Sequence, residues 1–260
     1  MYTITPIKFY NPSFGIFFNN IKDDEGNLKY RGDTRICRDD LYFPEVVDFF
    51  DKKYKNVPKV NVIMHACSNG EEVYSFLGVL ISRLGQKASK FLPVRARDFD
   101  ENHLKLAKKG VYQITKTEYM IANSCMNKNF YAYFDYLPQK IVKDPLLKYT
   151  NTVKANDMLK ALVNFKQSDI LEDSKRTDFK NTILFARNFW PYLSNIEQHE
   201  LARTLSKNMD HTSTLVVGDY DKEDANIGAL LKMYGFEETE VENVFEKPKI
   251  NNYKRIIKNI

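Results

Sequence analysis

The chain has 260 residues, 43% of them hydrophobic and 28% charged, enough to bury a full core in one large domain or two small ones. A net charge of +5 is too small for a nucleic-acid footprint, and three scattered cysteines, Cys37, Cys67 and Cys125, argue for a reducing, cytoplasmic setting over a disulfide framework. No apolar run nears the roughly 20 residues that span a bilayer, and the four histidines show no metal-ligand spacing with the cysteines.

Residues 1–33 read as an N-terminal arm or hairpin, with strand-like pieces at Thr3–Tyr10 and Phe14–Asn19. A helix is expected over about Asp40–Lys55, where Leu41, Val46, Val47, Phe50 and Tyr54 fall near helical spacing and Asp39 or Asp40 would cap it. Strand Lys59–His65 leads through the turn Ser68-Asn69-Gly70 into a helix ending at Gly85. Strand Leu92–Arg97 follows, then helix Asn102–Lys109 closed by Gly110. This alternation predicts parallel strands with right-handed crossovers. Between about 116 and 160 it loosens into aromatic and polar pieces, Asn129–Phe134, Gln139–Lys143 and Lys148–Lys154, read as a small β insertion. Regularity returns with strands Leu162–Gln167 and Asn181–Ala186, helix Ile196–Met209, strand Ser213–Val217 and helix Asp224–Tyr234. An antiparallel pair, Phe236–Val241 and Asn243–Glu246, closes the sheet.

Four places at the predicted strand ends carry chemistry. Ser68 and Glu71 have the spacing of a capping box, which leaves Glu72 either to a cationic ligand or to the helix dipole. Two acids in the first turn, in a turn with one glycine, disfavour a pyrophosphate and suit a positively charged ligand such as S-adenosylmethionine. Asp98 stands where an acid accepts from ribose hydroxyls, with helix capping as the alternative for Asp98 and the expectation for Asp100. Asp169 reads as an adenine acceptor or a turn residue. The polar pair Arg187-Asn188 follows a wholly apolar strand and must find partners, mark a site or lie in a solvated loop. Trp190 and Tyr192 read as packing. Thr34 and Arg38 reach a ligand only if the helix they precede folds over the sheet edge.

In order along the chain, several motifs resemble those of the CheR-type chemotaxis receptor methyltransferases, which methylate glutamate side chains with S-adenosylmethionine. Thr34 to Asp39 resembles Thr-x-Phe-Phe-Arg-Asp, and Ala66 to Ser75 resembles Ala-Cys-Ser-Thr-Gly-Glu-Glu-Pro-Tyr-Ser. Arg97 to Asp100 with Leu104, Ala107 and Gly110 to Tyr112 is similar to Thr-Asp-Ile-Asp followed by Leu, Ala and Gly-x-Tyr. Asn129 to Phe134, and Val163 and Phe165 with Asp169 to Leu171, keep the family's order. Ala186 to Tyr192 resembles Cys-Arg-Asn-Val-Leu-Ile-Tyr. The likeness runs from about Thr34 to Glu246.

The resemblance implies a class I methyltransferase: an α/β, Rossmann-like, mostly parallel seven-stranded sheet with helices on both faces, a C-terminal antiparallel hairpin and a small inserted β-subdomain. The methyltransferase domain would span 34–260, with the family's helical N-terminal domain having no room in residues 1–33. It implies a cofactor shell of Thr34, Arg38, Glu72, Asp98, Asp169, Ile170, Asn188 and Phe189. Arg38 and Tyr192 would lie nearest the transferred methyl and the incoming carboxylate. The cofactor is S-adenosylmethionine, its product S-adenosylhomocysteine, with no metal. The implied partner is a protein substrate such as a chemoreceptor cytoplasmic domain, with no nucleic acid and no membrane insertion. The chain departs from the pattern where Val73 and Asn69 replace Pro and Thr, Gly218 to Asp221 replaces Gly-x-Ser-Glu, and Pro191-Tyr192-Leu193 replaces Ile-Tyr-Phe, so the cofactor motifs are kept better than the substrate side. These departures leave open another acceptor, or a regulator that binds the cofactor without catalysis.

Overall fold

A computed structural model of the chain describes residues 34–38, 40–138 and 150–249. The pieces expected in 1–33 and at Gln139–Lys143 lie outside the described residues.

Strand β1 (Asn61–His65) is central, with helix α1 (Phe43–Lys53) before it and α2 (Glu71–Leu84) after it. Then come β2 (Val94–Asp98), α3 (Glu101–Lys109), β3 (Val111–Thr115), α4 (Lys116–Cys125), β4 (Phe134–Leu137) and β5 (Thr150–Ala155). Helix α5 (Asp157–Ala161), β6 (Val163–Gln167), α6 (Ile170–Arg176), β7 (Thr182–Ala186) and α7 (Asn195–Asn208) follow. The chain continues through β8 (Thr214–Val216), α8 (Asp219–Ala225), α9 (Ile227–Met233), β9 (Glu237–Glu238) and β10 (Val244–Glu246).

The main sheet has seven strands in the order β6-β2-β1-β7-β8-β10-β9. The first five pair in parallel, and β10 runs antiparallel to both β8 and β9. Alternate side chains of the inner strands point to opposite faces, as the two-residue period of a strand requires. Val62, Met64, Ile183, Phe185 and Val216 enter one core with α1 and α2, while Ile63, Leu184, Ala186, Leu215 and Val217 enter the other with α7 and α9. Burial on both faces explains why Ile183 to Ala186 of β7 read as an unbroken apolar run. Phe185 is the anchor of the first core, with ring centroids 5.1 Å from Phe76 and 6.2 Å from Phe50.

A second sheet, β3-β5-β4, is antiparallel and shares the first core through Tyr112, Val153 and Phe134. Here the structure corrects the expected pieces. Lys116–Cys125 is a helix started by a capping box of Thr115 and Glu118. Phe130–Ala132 is a single tight turn whose Phe130 stacks on Phe134 at 4.6 Å, so the aromatics there build core, not strand. The helix expected at Asp224–Tyr234 is two helices, broken where Asn226 takes the left-handed φ of 49°. No helix among the described residues is long and apolar enough to cross a membrane.

Truncating Phe185 to Ala leaves a cavity between the sheet and two helices. The expected cost is about 3–5 kcal/mol, seen as a lower urea midpoint at unchanged slope.

Candidate active site

The chain leaves β1 toward β2 and β6, but leaves β7 toward β8. Between β1 and β7 the winding direction therefore reverses, and such a switch point opens a crevice at the carboxyl ends of the strands. All five pairs from Asn61 with Thr182 to His65 with Ala186 hold these two strands in register. The Ser68–Glu72 turn and the Arg187-Asn188 pair thus emerge side by side.

After β1 the backbone turns sharply, with φ of 53° at Ala66, 47° at Ser68 and 88° at Gly70. Gly70 fits because a Cβ there would crowd Ala107 at 3.0 Å as well as sit in the left-handed region. Gly70, not Ser68, is the N-cap of α2, and no side chain caps it, so the expected capping box does not form. Instead the Ser68 amide donates to Asp98 Oδ2 at 2.7 Å, and Asp98 Oδ1 accepts from the Asp100 amide at 2.9 Å. Asp98 ties the turn after β1 to the loop after β2. His103 Nδ1 lies 3.8 Å from Asp98 Oδ1, and the nearby Asp98 carboxylate raises its pKa. Asp100 caps α3 as expected, accepting from Asn102 at 2.7 Å.

Arg187 is the charge at the centre of the crevice. It is 4% exposed. Its Nη1 lies 2.6 Å from Glu72 Oε2, its Nη2 2.9 Å from Asp40 Oδ1, and its Nε donates to the Val217 carbonyl at 3.3 Å. Asp40 does not cap α1, whose N-cap is Tyr42 without a side-chain bond. Its Oδ2 accepts from Asn188 Nδ2 at 2.9 Å and lies 3.4 Å from Arg38 Nε. Burial works against ionised Asp40, but the Arg187 and Arg38 guanidiniums outweigh it and hold the carboxyl below its ordinary range. For Glu72 burial wins, and its pKa lies above the ordinary value despite Arg187. Glu72 is therefore one arm of an ion-pair network, held there through its Oε2.

Asn188 adopts φ 58°, a left-handed conformation that asparagine tolerates better than most residues. Asp221, fully buried, fixes it: this carboxylate accepts from the amides of Asn188 at 2.7 Å, Gly218 at 2.7 Å and Trp190 at 3.1 Å. Burial raises the Asp221 pKa to about 6, with those three N–H groups opposing. Gly218 packs against Asn188, and a Cβ there would drive into Asn188 Oδ1. Phe189 stacks on Trp190 at 5.6 Å, and Trp190 Nε1 donates to the Ala186 carbonyl at 2.9 Å.

The segment Thr34–Arg38 does lie on this edge, because the Cys37 amide donates to Ser75 Oγ of α2 at 2.7 Å. Thr34 is half-buried there. Asp169 is the N-cap of α6, accepting from Leu171 at 2.8 Å, with Ile170 packed on the second core. These two stand at the end of β6, two strands from β1. Tyr192, 40% exposed, closes the turn Trp190–Tyr192 beyond Phe189. The network thus joins Arg38, Glu72 and Asn188, with Asp98 bracing the adjacent turn. Asp40 and Asp221 belong to it as well, Asp221 from the stretch Gly218–Asp221 that departs from the family pattern.

Asn69 Oδ1 and Glu71 Oε2, in and after the turn, are buried without a protein hydrogen bond. Among the described residues no group of three or more His, Cys, Asp or Glu could hold a metal ion.

Two outcomes follow. Arg187→Ala leaves two partly buried carboxylates without their shared cation and is expected to cost about 3 kcal/mol by denaturant unfolding. Burial pushes the Glu71 pKa from 4.5 up to about 8. The native state then holds a proton that the unfolded chain has released, so stability falls as pH rises from about 4.5 to about 8. Glu71→Gln should remove that fall in a thermal-melting pH series; an unchanged slope would contradict the assignment.

Residues 32–233 match the family described as CheR methyltransferase, SAM binding domain. Several solved structures resemble the chain at low identity. A TehB-like SAM-dependent methyltransferase from Corynebacterium glutamicum is 11% identical with a TM-score of 0.39, covering 81% of this chain and 90% of that one. A SAM-dependent methyltransferase from Archaeoglobus fulgidus is 14% identical with a TM-score of 0.36, covering 75% and 70%. PKMT2 from Rickettsia typhi in complex with AdoHcy is 13% identical with a TM-score of 0.35, covering 68% of this chain and 25% of that one. With its family match over most of its length and its doubly wound, mostly parallel seven-stranded sheet, the chain belongs to the CheR methyltransferase family as a SAM-dependent methyltransferase domain.

Proposed function

We propose that the chain transfers the methyl of S-adenosylmethionine to a carboxylate, a glutamate side chain of a protein such as a chemoreceptor cytoplasmic domain. The observation that carries this reading is the placement of Arg38. Its guanidinium shares the Asp40 carboxylate with Arg187 and Asn188, which puts a second cation at the switch-point crevice beside the buried one. A guanidinium is suited to grip a carboxylate through two parallel N–H bonds.

Thr34, Arg38, Glu72, Asp98, Asp169, Ile170, Asn188 and Phe189 would hold the cofactor, along the ends of β1, β2, β6 and β7. Glu72 keeps one oxygen beyond its Arg187 bond for the ammonium group. Asp98, with both oxygens on backbone amides, would meet the ribose hydroxyls from a fixed position. Bound here, S-adenosylmethionine would supply an electrophilic methyl on a cationic sulfur. The protein's task is then positioning. A carboxylate acceptor is ionised at neutral pH and requires no general base. Arg38 orients it, and Tyr192, half-exposed beside the crevice, stands on its path. We take residues 34–260 as one methyltransferase domain, with the segment about 116–160 inserted as part of the small sheet.

The test is transfer of radiolabelled methyl from S-adenosylmethionine into candidate proteins, receptor cytoplasmic domains first. Label released as methanol by mild base is the expected result. Base-stable label would assign another acceptor. Tight cofactor binding with no transfer to any candidate would instead assign a cofactor-binding regulator.

A further inference from the structure

The stretch Gly218–Asp221, where the chain departs from the family pattern, is built into the site. Its two acids are both spent on the backbone and side chains around it. Asp219 Oδ1 accepts from Asn243 Nδ2 at 2.6 Å, and Asp221 gathers the Gly218, Asn188 and Trp190 amides. Between these anchors stands Tyr220, 49% exposed, and the Arg38 guanidinium carbon lies 4.9 Å from its ring centroid. Arg38 Nε also lies 3.4 Å from Asp40 Oδ2. An aromatic ring against a guanidinium gives it a surface that fixes its plane.

We propose that Tyr220 is a positioning residue of the donor site, acting through Arg38: its ring holds the guanidinium plane across the mouth of the β1–β7 crevice. This rests on the reading of Arg38 as a cofactor contact. Anchoring on both sides gives the ring its direction. Its half-exposed edge means that removing it leaves the core intact. The stack needs an aromatic face and not a hydroxyl, so phenylalanine should serve in its place.

Calorimetric titration with S-adenosylhomocysteine tests this on the full chain. Tyr220→Ala is expected to weaken binding by about three- to fivefold, with Tyr220→Phe within about twofold of wild type. In an Arg38→Ala background the further Tyr220→Ala change should have an effect of less than about twofold, because its route of action is gone. Wild-type affinity in Tyr220→Ala would overturn the proposal. So would an equal loss in both backgrounds, which would mark Tyr220 as merely structural. If wild type itself gave no binding, the donor-site reading would fall, and this proposal with it; loss of the proposal alone leaves wild-type binding intact.

Discussion

One buried positive charge dictates much of what surrounds it. Arg187 follows the apolar run Ile183 to Ala186 and stays almost entirely out of water, so its charge must be met within the protein. Glu72 and Asp40 meet it from two other parts of the chain, and the Val217 carbonyl takes a further N–H. That single requirement fixes the start of α2 against the end of β7 and draws the segment before α1 over the sheet edge. It also shapes the surroundings of Asp40, where Arg38 and Asn188 share the carboxylate already committed to Arg187. The crevice is ordered because a charge inside it cannot be left alone.

Sheet topology supplies the place and the ion pairs supply the shape. The reversal between β1 and β7 brings two loops together at the carboxyl edge, and hydrogen bonds from short acids lock both. Asp98 braces the turn after β1, and Asp221 braces the turn after β7. Each carboxylate accepts from backbone amides in left-handed or strained turns, where regular secondary structure offers no partner. Acids whose positions suit a ligand thus serve the scaffold as well.

Much of this was legible in the sequence. The βα alternation located five parallel strands and the closing hairpin, because full burial and helical spacing are local patterns. Glycines at 85 and 110 marked helix ends as their left-handed or unusual φ requires. Motif order brought Arg38, Glu72, Asp98 and Asn188 to one edge. What escaped were partners distant in sequence: Asp40 looked like a helix cap and is bound instead to Arg187, far along the chain. Ser68 and Glu71 had the capping-box spacing, but the turn's left-handed glycine took the cap position and Asp98 took the serine amide. Helix α4 was missed because its apolar face is short and its neighbours are aromatic-rich. Asn226 split the last expected helix through a backbone conformation that its residue type permits but does not demand.

If the Glu72–Arg187–Asp40 network shapes the donor site, Glu72 serves both the network and the ligand. Calorimetric titration of S-adenosylhomocysteine into wild type and Glu72→Gln decides whether it does. One site per chain is expected in wild type, with affinity roughly tenfold weaker or more, about 1.4 kcal/mol or more, in the folded variant. Equal affinity in the two proteins, or no heat with wild type, would show that Glu72 has no such double role.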